Sequence, residues 1–73
     1  MDHELDAAGL LCPLPVLKAR KRLESLKSGD TLKLIATDPA SVIDVPHFCN
    51  EQGHRLVSHV AENGLHIFRI RRK

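Results

Sequence analysis

The chain has 73 residues, with 11 lysines and arginines against 9 acidic residues, and 2 cysteines. This length allows one small domain over residues 1–73 and leaves no room for a separate catalytic module. Two cysteines are too few for the disulfide framework of a small secreted fold, and no signal peptide or membrane-spanning apolar run is visible. We therefore expect a cytoplasmic protein with free thiols and no membrane association.

The first half of the chain predicts a strand, a helix and a second strand. Residues 3–7 form the first strand, and a loop then leads to Cys12. Apolar residues recur at helical spacing from Pro13 to about Lys27, and Gly29 is a candidate left-handed residue at the end of that helix. Thr31–Thr37 alternates between apolar and polar residues, as a half-buried strand does.

The next segment predicts a second helix. Asp38-Pro39 has the pattern of a helix start, but Pro46 lies too far along for one continuous helix from Pro39. We therefore expect a short turn over residues 39–43, followed by a helix from an Asp44 N-cap to about Gln52. Its predicted sheet-facing residues are Val45, Phe48 and Cys49, and its predicted C-cap is Gly53.

The last segment predicts a hairpin, because Asn63-Gly64 is a strong type I′ turn signal between Arg55–Glu62 and Leu65–Arg72. A two-residue turn places Val60 opposite Ile67 and Val57 opposite Ile70. Neither face is cleanly apolar, so a shifted register or a bulge stays open. The order βαβαββ predicts an α+β two-layer sandwich, with two helices on one face of a mixed four-stranded sheet whose first two strands are parallel.

Cys12-Pro13-Leu14-Pro15 is the strongest candidate functional segment. The prolines fit the first turn of a helix that begins at Pro13, with Cys12 at its N-cap. The helix dipole and a free N–H of Leu14 would then favour the thiolate and lower the pKa of Cys12, which makes the thiol nucleophilic. The alternative is a small buried cysteine behind an ordinary helix start, and the local residues favour neither.

Basic residues cluster in the first helix and at the C-terminus, namely Lys18, Arg20, Lys21 and Arg22, and Arg69, Arg71, Arg72 and Lys73. Such patches suit an acidic protein partner or a solvated face. Direct nucleic-acid binding is not expected, because the chain has no Trp or Tyr and only 2 Phe for base stacking.

The other candidate residues favour structural roles. Cys49 is predicted to pack in the core rather than to serve as a redox partner of Cys12, since the two lack Cys-x-x-Cys spacing. Asp38 and Asp44 are interpreted as helix caps. The histidines are scattered, so we expect no metal and no cofactor. A zinc or copper site that combines Cys12 or Cys49 with His47 is the less favoured alternative.

Taken in order, the motifs resemble the TusA/SirA-like family of sulfur-carrier proteins over about Leu5 to Arg72. The Cys-Pro-x-Pro element is the specific part. The supporting motifs are Leu5-Asp6-x-x-Gly9, Gly29-Asp30, Thr37-Asp38-Pro39-Ala40, Asp44-x-Pro46-x-Phe48-Cys49 and Gly53-His54.

The resemblance implies the same βαβαββ fold and a sulfurtransferase-type role. Cys12 would accept sulfane sulfur as a persulfide from a cysteine desulfurase or a rhodanese and relay it to an acceptor protein. In family members the sulfur serves tRNA 2-thiouridine synthesis, sulfur oxidation or molybdenum-cofactor pathways. Leu14 stands where the tRNA-thiolation members often have an acidic residue, which leaves the pathway open.

We expect Pro13 and Pro15 to position the helix N-terminus beside Cys12. We expect a monomer that contacts its partner proteins through Leu14, Lys18 and Arg22. The alternative function is a non-catalytic regulatory or interaction module that binds a protein or nucleic acid through the basic patches.

Overall fold

The structure is a computed structural model that describes residues 2–73. Its elements run β1(Asp2–Ala7), α1(Leu14–Glu24), β2(Thr31–Ala36), α2(Ser41–Gln52), β3(Arg55–Glu62) and β4(Leu65–Arg71). The four strands form one sheet in the order β1-β2-β4-β3, with β1 parallel to β2 and the other pairs antiparallel. The predicted α+β architecture with a mixed four-stranded sheet is therefore confirmed.

One face of the sheet is buried under both helices. Along β2 every second residue is buried, as the alternation in the sequence predicts. The core joins these residues to β4 and to the apolar sides of α1 and α2; its largest fully buried side chains are Phe68, Leu23, Leu32, Leu34, Ile70 and Val45. Burial of these side chains is the main stabilising contribution in so short a chain.

Helix α1 ends at Glu24, three residues earlier than the sequence predicts, and Gly29 is not its cap. Ser25 takes the capping position, where its backbone N–H and its hydroxyl both donate to the Arg22 carbonyl, at 3.1 Å and 2.7 Å, while the N–H of Leu26 donates to the Leu23 carbonyl at 3.1 Å. A serine hydroxyl that competes for helix carbonyls favours termination. Gly29, with φ of +89°, belongs instead to the turn before β2.

Helix α2 is continuous from Ser41 to Gln52, so the predicted break between a turn and an Asp44-capped helix is wrong. Pro46 lies inside the helix, where it removes only the N–H that would donate to the Val42 carbonyl. The buried residues on both sides of Pro46, including Val45 and Phe48, keep both halves packed on the sheet. The predicted end is confirmed, because Gly53 adopts the left-handed conformation with φ of +76°.

The hairpin turn is confirmed, since Asn63 and Gly64 both have positive φ, at 51° and 78°. Val60 pairs with Ile67 as predicted. The predicted pairing of Val57 with Ile70 is wrong, because a bulge between Leu56 and Ser58 pairs Leu56 with Ile70 instead. The bulge places Leu56 against the core and leaves Val57 51% exposed.

No helix in residues 2–73 is long and apolar enough to cross a membrane.

Replacing Gly53 by Ala should lower the free energy of unfolding by about 1–2 kcal/mol, because a Cβ strains the left-handed backbone at this position. The new Cβ would also lie 3.3 Å from Cδ of Lys73. Urea denaturation of Gly53→Ala and wild type measures the difference. Asn50→Ala, an exposed change in the last turn of the same helix, is the control and should match wild type. Equal loss in both variants would contradict the cap assignment.

Candidate functional site

Cys12 lies in the loop between β1 and α1, and its side chain is exposed. Since β1 and β2 are parallel and end together at the pair Ala7–Ala36, the loops that follow them leave the same edge of the sheet. Two hydrogen bonds join these loops. The N–H of Gly9 donates to Oγ1 of Thr37 at 2.8 Å, and the N–H of Cys12 donates to Oδ2 of Asp38 at 2.6 Å.

The start of α1 differs by one residue from the prediction. Pro13, not Cys12, is the N-cap, and Leu14 is the first helical residue. Pro15 also lies in the first turn. A backbone N–H in this turn has no carbonyl acceptor within the helix, so a proline there costs no helical hydrogen bond. The N–H of Leu14 donates to the Leu11 carbonyl at 2.9 Å, so it is not free to stabilise a thiolate at Cys12.

The Cys12 thiol is hydrogen-bonded to the Asp44 carboxylate, with Sγ as donor and Oδ2 as acceptor. This bond requires the protonated thiol, and the charge of the carboxylate opposes formation of a thiolate beside it. The hydrogen bond to Asp44, followed by desolvation and by the negative charges of Asp44 and Asp38, raises the pKa of Cys12 above its ordinary value. The predicted lowering of this pKa by the helix terminus is therefore wrong.

Asp38 anchors the backbone on both sides of the site. Its carboxylate accepts the N–H of Cys12 through Oδ2 and the N–H of Ala40 through Oδ1 at 3.1 Å. These two backbone hydrogen bonds, to Cys12 first and then to Ala40, lower the pKa of Asp38. Asp38 thus connects the Cys12 loop to the start of α2.

The sequence does not reveal the contacts of Asp38 and Asp44 with Cys12, because both aspartates have the pattern of helix caps. The signal that identifies Asp38 is its position directly after the β2 segment, just as the Cys12 loop directly follows β1. Parallel strands place such segments side by side. Asp44 lies in the first turn of α2, and the predicted break in that helix concealed its approach to Cys12.

An open groove of about 290 Å³ lies beside the thiol, between the beginning of α1 and one side of α2. It is lined by Cys12, Pro13, Val16, Asp44, His47, Phe48 and Glu51. Apolar side chains near Cys12 in the chain and near Asp44 are open to solvent, with Leu11 71% and Ile43 74% exposed. A groove of this kind admits a segment of a protein partner to an accessible sulfur.

The predicted partner-contacting residues do not all meet at this groove. Leu14 is 45% exposed and follows the groove residue Pro13 in the chain, but it does not line the groove. Lys18 and Arg22 line a separate depression with Leu5 and Lys21, along the side of α1 that faces β1. The structure therefore separates these two basic residues from Cys12.

Cys49 is a core residue, as predicted. It is 2% exposed, and burial raises the pKa of its thiol to about 11. A thiol so protonated and shielded is a poor nucleophile for exchange with Cys12. Within residues 2–73 no group of three or more His, Cys, Asp and Glu side chains is placed to hold a metal ion.

Replacing Asp44 by Asn should lower the pKa of the Cys12 thiol, because the substitution removes the negative charge and the strong acceptor that favour the protonated form. The rate of alkylation by iodoacetamide, followed by intact mass across a pH series, should reach its midpoint at lower pH in Asp44→Asn than in wild type. Glu51→Gln removes a carboxylate from the same groove and is the control. Identical profiles for Asp44→Asn and wild type would contradict the assignment.

The thermal stability of the protein should depend on the protonation of Asp38. Its folded-state pKa lies below the ordinary value of 3.8, so its contribution is present above that value and is lost as the pH falls through the lowered pKa. Asp38→Asn should therefore have a lower thermal midpoint at about pH 6 and a smaller further decrease towards about pH 2 than wild type. Thermal denaturation monitored by circular dichroism measures both. Glu62→Gln, at an exposed carboxylate that ends β3, should retain the wild-type acid dependence.

Known proteins match this chain over nearly its whole length. A family model described as Sulfurtransferase TusA matches residues 3–72. The sulfur carrier protein TusA of Pseudomonas syringae pv. syringae is 47% identical over 73 residues, which cover 100% of this chain and 87% of the relative. The sulfur carrier protein TusA of Allochromatium vinosum is 46% identical over 71 residues, 97% of this chain and 93% of the relative.

The fold has a counterpart among solved structures. The crystal structure of the SirA-like protein from Desulfitobacterium hafniense superposes with a TM-score of 0.82 at 25% identity, covering 97% of this chain and 96% of that one. Family model, full-length relatives and fold agree with the resemblance carried by the Cys-Pro-x-Pro segment, and the chain belongs to the sulfurtransferase TusA family.

Proposed function

We propose that this protein is a sulfur carrier that holds sulfane sulfur as a persulfide on Cys12 and relays it from a donor protein to an acceptor protein. The observation that carries the proposal is the exposed thiol in a loop held by Asp38, beside an open groove. The names of the relatives, sulfur carrier protein TusA, support the same role. A relay sulfur must reach into the sites of other proteins, and an exposed loop at one corner of a small domain suits that task.

Cys12 receives the sulfane sulfur by thiol exchange. Cys12 gives up its proton, its sulfur attacks the outer sulfur of the donor persulfide, and the donor cysteine leaves as a thiolate. Asp44 already accepts the hydrogen bond from Sγ and is the group placed to receive that proton. Discharge repeats the exchange, with an acceptor thiolate attacking the outer sulfur and the Cys12 thiolate leaving.

The raised pKa of Cys12 suits a carrier at rest. A protonated thiol is oxidised more slowly than a thiolate, so an exposed Cys12 is protected until a partner binds. A thiol of higher pKa is also the stronger nucleophile once its proton is removed. Transfer of the proton to Asp44 during attack combines both properties in one site.

The donor in this proposal is a cysteine desulfurase or a rhodanese, and the protein acts as a cytoplasmic monomer. The receiving pathway is tRNA 2-thiouridine synthesis, sulfur oxidation or molybdenum-cofactor synthesis. Leu14 bears on this choice, because it presents a half-exposed apolar side chain two residues after Cys12, where an acidic residue is often found in tRNA-thiolation members.

Incubation with a cysteine desulfurase, pyridoxal phosphate and cysteine should add the mass of one sulfur atom to the wild-type chain, and a reductant should remove it. Cys12→Ser should gain no sulfur. Cys49→Ala should load as wild type does, because Cys49 is buried away from partners. Intact mass spectrometry measures all three. Equal sulfur gain by Cys12→Ser and wild type would refute the proposal and leave a binding module as the alternative.

A further inference from the structure

Three residues of the C-terminal basic cluster, which the proposed sulfur transfer does not use, line a cleft together with Arg55. An open pocket of about 310 Å³ lies where β2 begins and β4 ends, and its lining includes Arg55, Arg71, Arg72 and Lys73. Cys12 lies beyond the other end of these strands. A strand of six residues spans about 20 Å, so the two sites are on opposite ends of the sheet.

Among the described residues, no carboxylate side chain neutralises these four cations. Within residues 2–73, the recorded side-chain ion pairs involve other cations, and no Asp or Glu side chain pairs with any of the four. The neighbouring carboxylate of Asp30 is directed elsewhere, accepting the N–H of Lys27 at 3.1 Å and lying 3.5 Å from Nε2 of His3. The cleft therefore keeps a concentrated positive field.

The sheet register places like charges together. Arg55 and Arg71 are directly opposite each other in the β3–β4 pair, an arrangement that destabilises a sheet when no counter-charge is present. A local arrangement that opposes stability is typical of a functional site. An anion bound between the two guanidinium groups would remove the repulsion.

Gly53 allows the Lys73 side chain to lie close to the backbone. A Cβ at Gly53 would lie 3.3 Å from Cδ and 3.9 Å from Nζ of Lys73, whereas a Cβ at Gly29 would make ordinary van der Waals contact with Nη2 of Arg71 at 3.8 Å. Arg72 is fixed from the other side, because its Nε donates to the Leu23 carbonyl at 2.7 Å. The position of the Arg72 charge in the cleft is thus set by the fold.

We propose that this cleft is a binding site for a phosphate anion with at least two phosphoryl groups. Guanidinium groups bind phosphate oxygens through paired hydrogen bonds, and four cations exceed the charge of a single phosphate. The cleft offers no aromatic surface, since no Phe lines it, so the phosphates and not a base are recognised. The ligand is a free polyphosphate or consecutive phosphates of a nucleic-acid backbone.

Calorimetric titration with inorganic pyrophosphate at about 0.15 M salt should show saturable binding, with inorganic phosphate weaker. Arg71→Gln should weaken pyrophosphate binding about tenfold. Arg69→Gln removes the same charge from the same strand outside the cleft and should change affinity by less than about twofold. In wild type, amide NMR shifts on binding should concentrate at Gly29 and Gly53 and spare Cys12.

Absence of saturable binding, or equal weakening by Arg69→Gln and Arg71→Gln, would overturn the site. Arg71→Gln should fold at least as stably as wild type, because it removes the repulsion from Arg55. A short oligouridine that competes with pyrophosphate would assign the site to backbone phosphates, and one that does not would assign it to free polyphosphates. Cys12→Ser should bind pyrophosphate as wild type does, so this result is independent of sulfur loading.

Discussion

Parallel pairing of β1 with β2 is the constraint on which the Cys12 site depends. Both strands end at the pair Ala7–Ala36, so the Cys12 loop and the segment leading into α2 must run side by side. The hydrogen bonds from Gly9 to Thr37 and from Cys12 to Asp38 then hold an exposed loop without burying it. Such anchoring limits the conformations of the loop while its sulfur stays accessible, which is what a relay between large partners requires.

The same arrangement decides the protonation state of the sulfur. A helix start alone would favour a thiolate, but the next helix contributes Asp44, and a direct hydrogen bond to a carboxylate outweighs the diffuse field of a helix terminus. Reactivity of Cys12 is therefore conditional. In the proposed relay, the thiol becomes a nucleophile when its proton moves to Asp44 or when a binding partner changes the charges around the groove.

Local sequence signals predicted the elements well and the contacts between them poorly. The alternation along β2, the Asn63-Gly64 turn and Gly53 at the end of α2 are decided by nearest neighbours, so they were predicted correctly. Pro46 inside α2 and the bulge beside Val57 follow from tertiary packing that outweighs local preference. The sequence predicted a break at Pro46, which is wrong, and left the bulge open. In the site, the Cys-Pro-x-Pro segment predicted Cys12 as the reactive sulfur, and this stays a prediction. The partners Asp38 and Asp44 are 26 and 32 residues away in sequence, beyond any local pattern.

The two ends of the sheet carry opposite kinds of surface, and this separation has a thermodynamic consequence. The Cys12 end is rimmed by exposed apolar side chains such as Leu11 and Ile43, which suit protein partners, whereas the other end concentrates positive charge around Arg55 and Arg71. A domain of 73 residues has little stability to spare, so an anion that binds only the folded state and relieves this repulsion would stabilise the whole fold by mass action. The core connects both helices to β2, β3 and β4. Stabilisation at the basic end would therefore also stabilise the strands and helices that flank the Cys12 loop. Binding of an anion at one end would thereby increase order at the other end without any contact between the anion and the sulfur.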